Sequence, residues 1–244
     1  MKRRTTLFVL GATVIGLAGS SLAATSKPPV VVELFTSQGC SSCPPADAYL
    51  GELAQRPGIV ALAFHVDYWD YIGWKDPFAS PASTARQQRY KEALGNRFLY
   101  TPEMVIDGRA DATGSDRASV SKLLRAEEAR GGKIPVTVVE TAEDKYQIEI
   151  PAAPFPGEAT VWMALFDKEH TTAVAAGEND GRHLREFNVV REFRPLGRWR
   201  GKALQIPVDM TLTPANGCAV LLQADARPGD GQGPILGAAL FTEK

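Results

Sequence analysis

Val30-Val-Val-Glu-Leu-Phe-Thr-Ser-Gln-Gly-Cys40-Ser-Ser-Cys43-Pro-Pro45 decides how the chain is read: a short apolar strand delivers two cysteines, spaced C-x-x-C, to the mouth of a helix. Apart from Glu33 the strand is apolar on both faces, which suits a central strand covered on each side. Pro44-Pro45 opens a helix to about Gln55, with Ala46, Tyr49, Leu50 and Leu53 at helical spacing. A residue before proline is pushed out of the helical region, so Cys43 and Pro44 are expected to be extended, with the helix starting near Pro45. At this spacing the two sulfurs can close as one disulfide or hold one soft metal ion. The third cysteine, Cys218 in Gly-Cys-Ala-Val-Leu-Leu, is expected to pack as a small apolar residue.

Outward from that stretch, residues 59–66 form a second apolar strand, followed by the aromatic loop Asp67-Tyr-Trp-Asp-Tyr-Ile-Gly-Trp74. Ser80-Pro81 reads as a cap and first-turn proline for a helix to about Leu94. Tyr100-Thr-Pro-Glu-Met-Val-Ile-Asp-Gly-Arg109 reads as a strand after a proline and before an Asp-Gly hairpin turn. Ser115 caps a last helix that ends near Gly131-Gly132. The order strand, helix, strand, helix, strand, turn, strand, helix predicts a mixed sheet flanked by helices over 28–132, with a helical insertion at 67–95. From Ile134 the texture changes to short strands at 136–140, 146–150, 160–167, 171–175, 187–194, 203–208, 218–224 and 235–241. That spacing predicts a separate all-β sandwich over 134–244.

Composition sets the compartment. Lys2-Arg3-Arg4, an apolar run to Leu17 and small residues ending Ser21-Leu22-Ala23 read as a secretory signal over 1–23, too short in its apolar part to span a bilayer. Loss of Lys2, Arg3 and Arg4 with no acidic residue takes the formal charge from −1 to −4. A mildly acidic mature chain lacks the basic footprint of a nucleic-acid binder or of a protein held on anionic lipid, and no stable membrane insertion is expected after cleavage. A secreted or periplasmic setting lets disulfides persist, so an oxidised C-x-x-C is chemically sensible there.

The strand entering C-x-x-C, with Thr101-Pro102 and Glu-Met-Val-Ile-Asp-Gly downstream, resembles the thioredoxin superfamily. More narrowly, residues 35–47, His65-Val-Asp67, Tyr-Thr-Pro-Glu-Met-Val, Ala176-Gly-Glu-Asn-Asp-Gly and Asn188-Val-Val-Arg resemble the secreted thioredoxin-like family catalogued as domain of unknown function 1223. The resemblance implies a thioredoxin-like N-terminal half, a cis Thr101-Pro102 bond and thiol-disulfide chemistry. It departs from the general thioredoxin pattern in having no tryptophan before Cys40 and two prolines after Cys43.

On this reading Cys40, after flexible Gly39, is the exposed nucleophile and Cys43 the buried resolving thiol. The rival is a structural disulfide, for which a ring this small contributes only about 2 kcal/mol before strain. Glu33 sits where thioredoxins carry a buried acid and is expected to accept the proton of Cys43. Thr101, Pro102 and Trp69 are the expected substrate-binding residues, for a protein or small-molecule thiol or disulfide. No cofactor is expected beyond the redox-active disulfide. The alternative is a Cu(I) or zinc carrier using Cys40, Cys43 and His65, and a third reading is a non-catalytic interaction module. His65 and Asp67, two apart on a strand, point the same way as a proton relay would need, although a hydrogen-bonded strand-end histidine is the simpler expectation.

Overall fold

A computed structural model describes residues 28–226 and 232–242; the expected signal segment 1–23 lies outside them. Strand β1 (Val30–Thr36) runs parallel to β2 (Ile59–His65) and antiparallel to β3 (Glu103–Ile106), so it is central as its apolar run predicts. Its side chains alternate between two faces. Val30, Val32 and Leu34 pack under α1 (Pro44–Ala54) and α3 (Arg117–Arg130), with Leu50, Leu53, Val120 and Leu124. Val31 and Phe35 face the other way, with Phe64 and with Tyr90 of α2 (Pro81–Leu94). Ser80 caps α2 by accepting the amide of Ser83 at 3.1 Å, while α3 is capped by Asp116 rather than by Ser115. Strand β4 (Ala110–Thr113) returns from β3 through Asp107 and Gly108, whose φ values of 50° and 62° are those a type I′ turn requires.

The expected division into a thioredoxin-like α/β sheet and a separate all-β sandwich is corrected by the strand pairing. Strands β7 (Ala159–Ala173), β8 (His183–Trp199), β10 (Asn216–Ala224) and β11 (Ile235–Phe241) join the first-half strands in one eight-stranded mixed sheet, ordered β11-β10-β7-β8-β2-β1-β3-β4. The junction is β8 alongside β2, parallel with Val189 opposite Ala63, and Asn188 Nδ2 donates to the carbonyl of Ala61 at 2.8 Å. The free edge of β2 carries backbone groups that need partners, and β8 supplies them. Ala164, Phe166, Ala219 and Leu221 then share one core with Phe35 and Phe64. Among the described residues only β5 (Thr137–Ala142), β6 (Lys145–Ile150) and β9 (Leu204–Asp209) form a sheet of their own. It lays Tyr146, Ile148 and Ile150 against Val161, Met163 and Val220 of the large sheet. Gly131–Lys133 follow directly on α3 in the link to β5.

Helix α1, which carries the cysteines, is clamped from the second half as well. A Cβ at Gly51 would lie 2.5 Å from the ring of Phe187, so this helical glycine exists to admit β8. Gly51→Ala, which by helix propensity alone would gain about 1 kcal/mol, is expected instead to lose about 1–2 kcal/mol through overpacking. Urea unfolding decides: a variant at least as stable as the native chain would mean that Phe187 does not press on the helix.

Candidate functional site

Cys40 and Cys43 are joined as a disulfide with Cα atoms 5.4 Å apart, in the loop that links β1 to α1. The turn is closed by the amide of Cys43 donating to the carbonyl of Cys40, and the carbonyl of Cys43 accepts the amides of Ala46 and Asp47. Cys43 is therefore the N-cap of α1. Its φ of −77° and ψ of −38° are helical, so the expected extended Cys43-Pro44 is corrected: ring closure and the first helical bonds outweigh the pre-proline preference. Beside this loop the Thr101-Pro102 bond is cis, the Thr101 carbonyl lies 3.5 Å from Ser42 Oγ, and Trp69 Nε1 donates to Thr101 Oγ1 at 2.8 Å. The residues read from sequence as Cys40, Cys43, Thr101, Pro102 and Trp69 thus gather in one place.

Three of the expected roles are not met. Cys40 is as covered as Cys43, each with 0% of its surface exposed, and what faces solvent is Ser41 and Ser42. Ser42 Oγ sits 3.3 Å from Cys40 Sγ. Asn179, from the turn between β7 and β8, donates Nδ2 to the carbonyls of Gln38 and Cys40 and so ties the backbone of this loop to the second half of the chain. Glu33 is on the face of β1 opposite α1 and cannot serve Cys43. It is held instead by Arg86 of α2, with Nε at 2.5 Å and Nη2 at 3.0 Å, and by the hydroxyl of Tyr90. His65 does not pair with Asp67, which accepts from Thr84 Oγ1 at 2.6 Å. Its Nδ1 meets Asp76 at 2.7 Å, and among the described residues no group of three or more His, Cys, Asp and Glu side chains is placed to hold a metal ion, so the set Cys40, Cys43 and His65 is not assembled.

The buried acid that follows the disulfide along α1 is Asp47, one turn beyond Cys43, with its amide on the Cys43 carbonyl and 6% exposed. Burial pushes its carboxyl up to about 7, against the pull of His65 and of the Thr36 hydroxyl, which donates to it at 2.8 Å. For Asp76, burial acts upward but is outweighed by His65 and by the amides of Gln38 and Phe78, so its pKa falls. For His65, burial acts downward but is outweighed by Asp76, Glu186 and Asp47, so its pKa rises. The Gln38 side chain ties this cluster to the second half, donating to Glu186 at 2.6 Å and to Thr172 at 3.0 Å while accepting from Trp74 Nε1 at 2.9 Å. Asp47 was legible in principle, as an acid four residues after Cys43 on the same helical face. Asp76, Asn179 and Glu186 carry no local signal and are placed by the fold. Cys218 is buried in the core between the two sheets, and burial pushes its thiol up to about 12.

Among solved structures the chain is similar to protein AGR_C_4864 from Agrobacterium tumefaciens, known from a crystal structure, at 34% identity and a TM-score of 0.77, covering 91% of this chain and 97% of that one. It is also similar in fold to HBP35 of Porphyromonas gingivalis, at 12% identity and a TM-score of 0.62, covering 88% of this chain and 75% of that one. No curated protein matches it. The profile of the family described as "Protein of unknown function (DUF1223)" matches residues 31–223, which hold the disulfide loop, the Thr101-Pro102 segment and the β7–β8 turn alike, and the chain therefore belongs to that family.

Proposed function

We propose that the protein is an exported thiol-disulfide oxidoreductase acting on protein or small-molecule thiols and disulfides in the secreted or periplasmic space. One observation carries the reading: the Cys40–Cys43 disulfide closes at the first turn of a helix, with the Thr101 carbonyl beside it. In the reducing direction an incoming thiolate bonds to Cys40 Sγ, the Cys40–Cys43 bond breaks, and its electron pair leaves on Cys43 Sγ. The N-terminus of α1 favours that developing thiolate, and we assign Asp47, one turn on, as the source of its proton. A second external thiol then attacks the mixed disulfide, leaving Cys40 and Cys43 as two thiols and the partner oxidised by two electrons. Run backwards, the same steps reduce a client disulfide to two thiols while the Cys40–Cys43 bond re-forms.

The reading is tested by equilibrating the folded protein in glutathione buffers of graded ratio and counting alkylated thiols by mass. Two thiols gained reversibly are expected, with Cys40→Ser silent and Cys43→Ala trapping a mixed disulfide through Cys40. The full burial of both sulfurs favours one rival, a disulfide that only fixes the loop. A pair that stays oxidised at every buffer ratio while the protein remains folded would establish that rival.

A further inference from the structure

The backbone around the disulfide is already occupied. The turn Gly177–Asn179, nearly 140 residues downstream, brings two side chains onto the C-x-x-C loop. Asn179, completely buried, donates Nδ2 to the carbonyls of Gln38 at 2.9 Å and Cys40 at 3.0 Å, while its Oδ1 accepts from Arg182 at 3.0 Å. The exposed Glu178 accepts the amide of Ser41 at 3.0 Å. Gly177, at φ 77°, lets the turn approach closely: a Cβ there would lie 3.3 Å from both Ile72 and Trp74 of the aromatic loop. A primary amide that donates to two carbonyls two residues apart, beside a carboxylate that takes the N–H of the next residue, Ser41, supplies what an extended peptide main chain would supply.

We propose that the Gly177–Asn179 turn is a built-in stand-in for a client main chain, and that the site takes an extended cysteine-containing polypeptide, which reaches Cys40 by displacing Asn179 and Glu178 from the Gln38–Ser41 backbone. This rests on the oxidoreductase reading and names its substrate class and its gate. The two hydrogen bonds of Asn179 are neutral amide-to-carbonyl contacts, while that of Glu178 involves a charged acceptor screened by water, so Asn179 holds the larger share of the closure. A free small thiol cannot replace these contacts and must wait for the turn to open.

The test is the rate at which the disulfide opens in dithiothreitol, read as two alkylated thiols by mass, in the native chain, Asn179→Ala and Glu178→Ala. Asn179→Ala is expected to open about 10- to 30-fold faster, the factor that two net hydrogen bonds represent. Glu178→Ala, an exposed position that leaves folding intact, is expected to open a few-fold faster. Equal rates in variants whose urea midpoints match the native chain overturn the gate. A synthetic cysteine peptide is then compared with its backbone N-methylated form, which lacks the donors for Gln38 and Cys40; the unmodified peptide is expected to form the mixed disulfide faster. Equal peptide rates overturn the main-chain substrate class. Failure of the oxidoreductase reading looks different: no mixed disulfide with either peptide in any of the three proteins, even where dithiothreitol opens the ring.

Discussion

Arg86→Ala is expected to lower the unfolding free energy by about 3–5 kcal/mol, the usual loss when one member of a buried ion pair is removed. Glu33 has no exposed surface and its two carboxylate oxygens are met by Arg86 and Tyr90. Arg86 in turn reaches Gln223 of β10 at 3.0 Å and stacks its guanidinium 4.4 Å from the ring centre of Phe193 on β8. The pair is thus the polar pin between the two halves of the chain, set inside an apolar core that cannot solvate a lone carboxylate. Replacing both members, Glu33→Leu with Arg86→Met, is expected to recover much of the loss, since Gln223 Nε2 still donates to Tyr90 at 2.8 Å. Urea unfolding of the two variants settles it: a single-variant loss under about 1 kcal/mol would mean that water reaches Glu33 when Arg86 is removed.

Asp47→Asn is expected to change how stability depends on pH. With its folded pKa near 7 and an ordinary value of 3.8, Asp47 stays protonated in the folded chain over a range where the unfolded chain has released the proton. The folded state binds more protons there, so its stability is full below the ordinary value, declines as pH rises, and is lost beyond about 7. The amide keeps the acceptor for Thr36 and never ionises. Relative to the native chain the variant should therefore gain with each pH step from 4 to 7, by up to about 4 kcal/mol in total by proton linkage. His65 and Asp76 act in their own windows in both proteins: the raised His65 loses its contribution as pH climbs above its ordinary range, and the lowered Asp76 loses its own in acid. A difference curve flat across that range would show that Asp47 is ionised when buried. If Asp47 also supplies the proton to Cys43, the variant should slow exchange below pH 7 and leave it little changed above.

Much of the local structure was readable because its causes are local. The Asp-Gly turn needs two positive φ values, Ser80-Pro81 supplies a cap and a first turn, and β1 is apolar on both faces because both are covered. The site was readable to the extent that it is local too: Cys40 and Cys43 share one loop, and the Thr101-Pro102 segment was recognised by its resemblance. The roles given to Glu33 and to an exposed Cys40 went wrong for one shared reason. Each depends on what packs against the residue, and the partners, Arg86 and Asn179, lie 53 and 139 residues away from the groups they meet.

What the sequence by itself determined is the run of elements through α3 and the residues carried at the head of α1, strand, two cysteines and helix, whereas the strands expected at 160–167 and 171–175 are one continuous β7. Hydrophobic alternation and turn chemistry act within a few residues, so those are written along the chain. What only the tertiary structure decided is that β8 takes the open edge of β2, merging an anticipated second domain into one sheet, and that the turn before it hydrogen-bonds to the backbone of the disulfide loop. Strand edges carry no label for their partners, since any backbone can satisfy any other, and the choice falls to the apolar faces buried once the edges join.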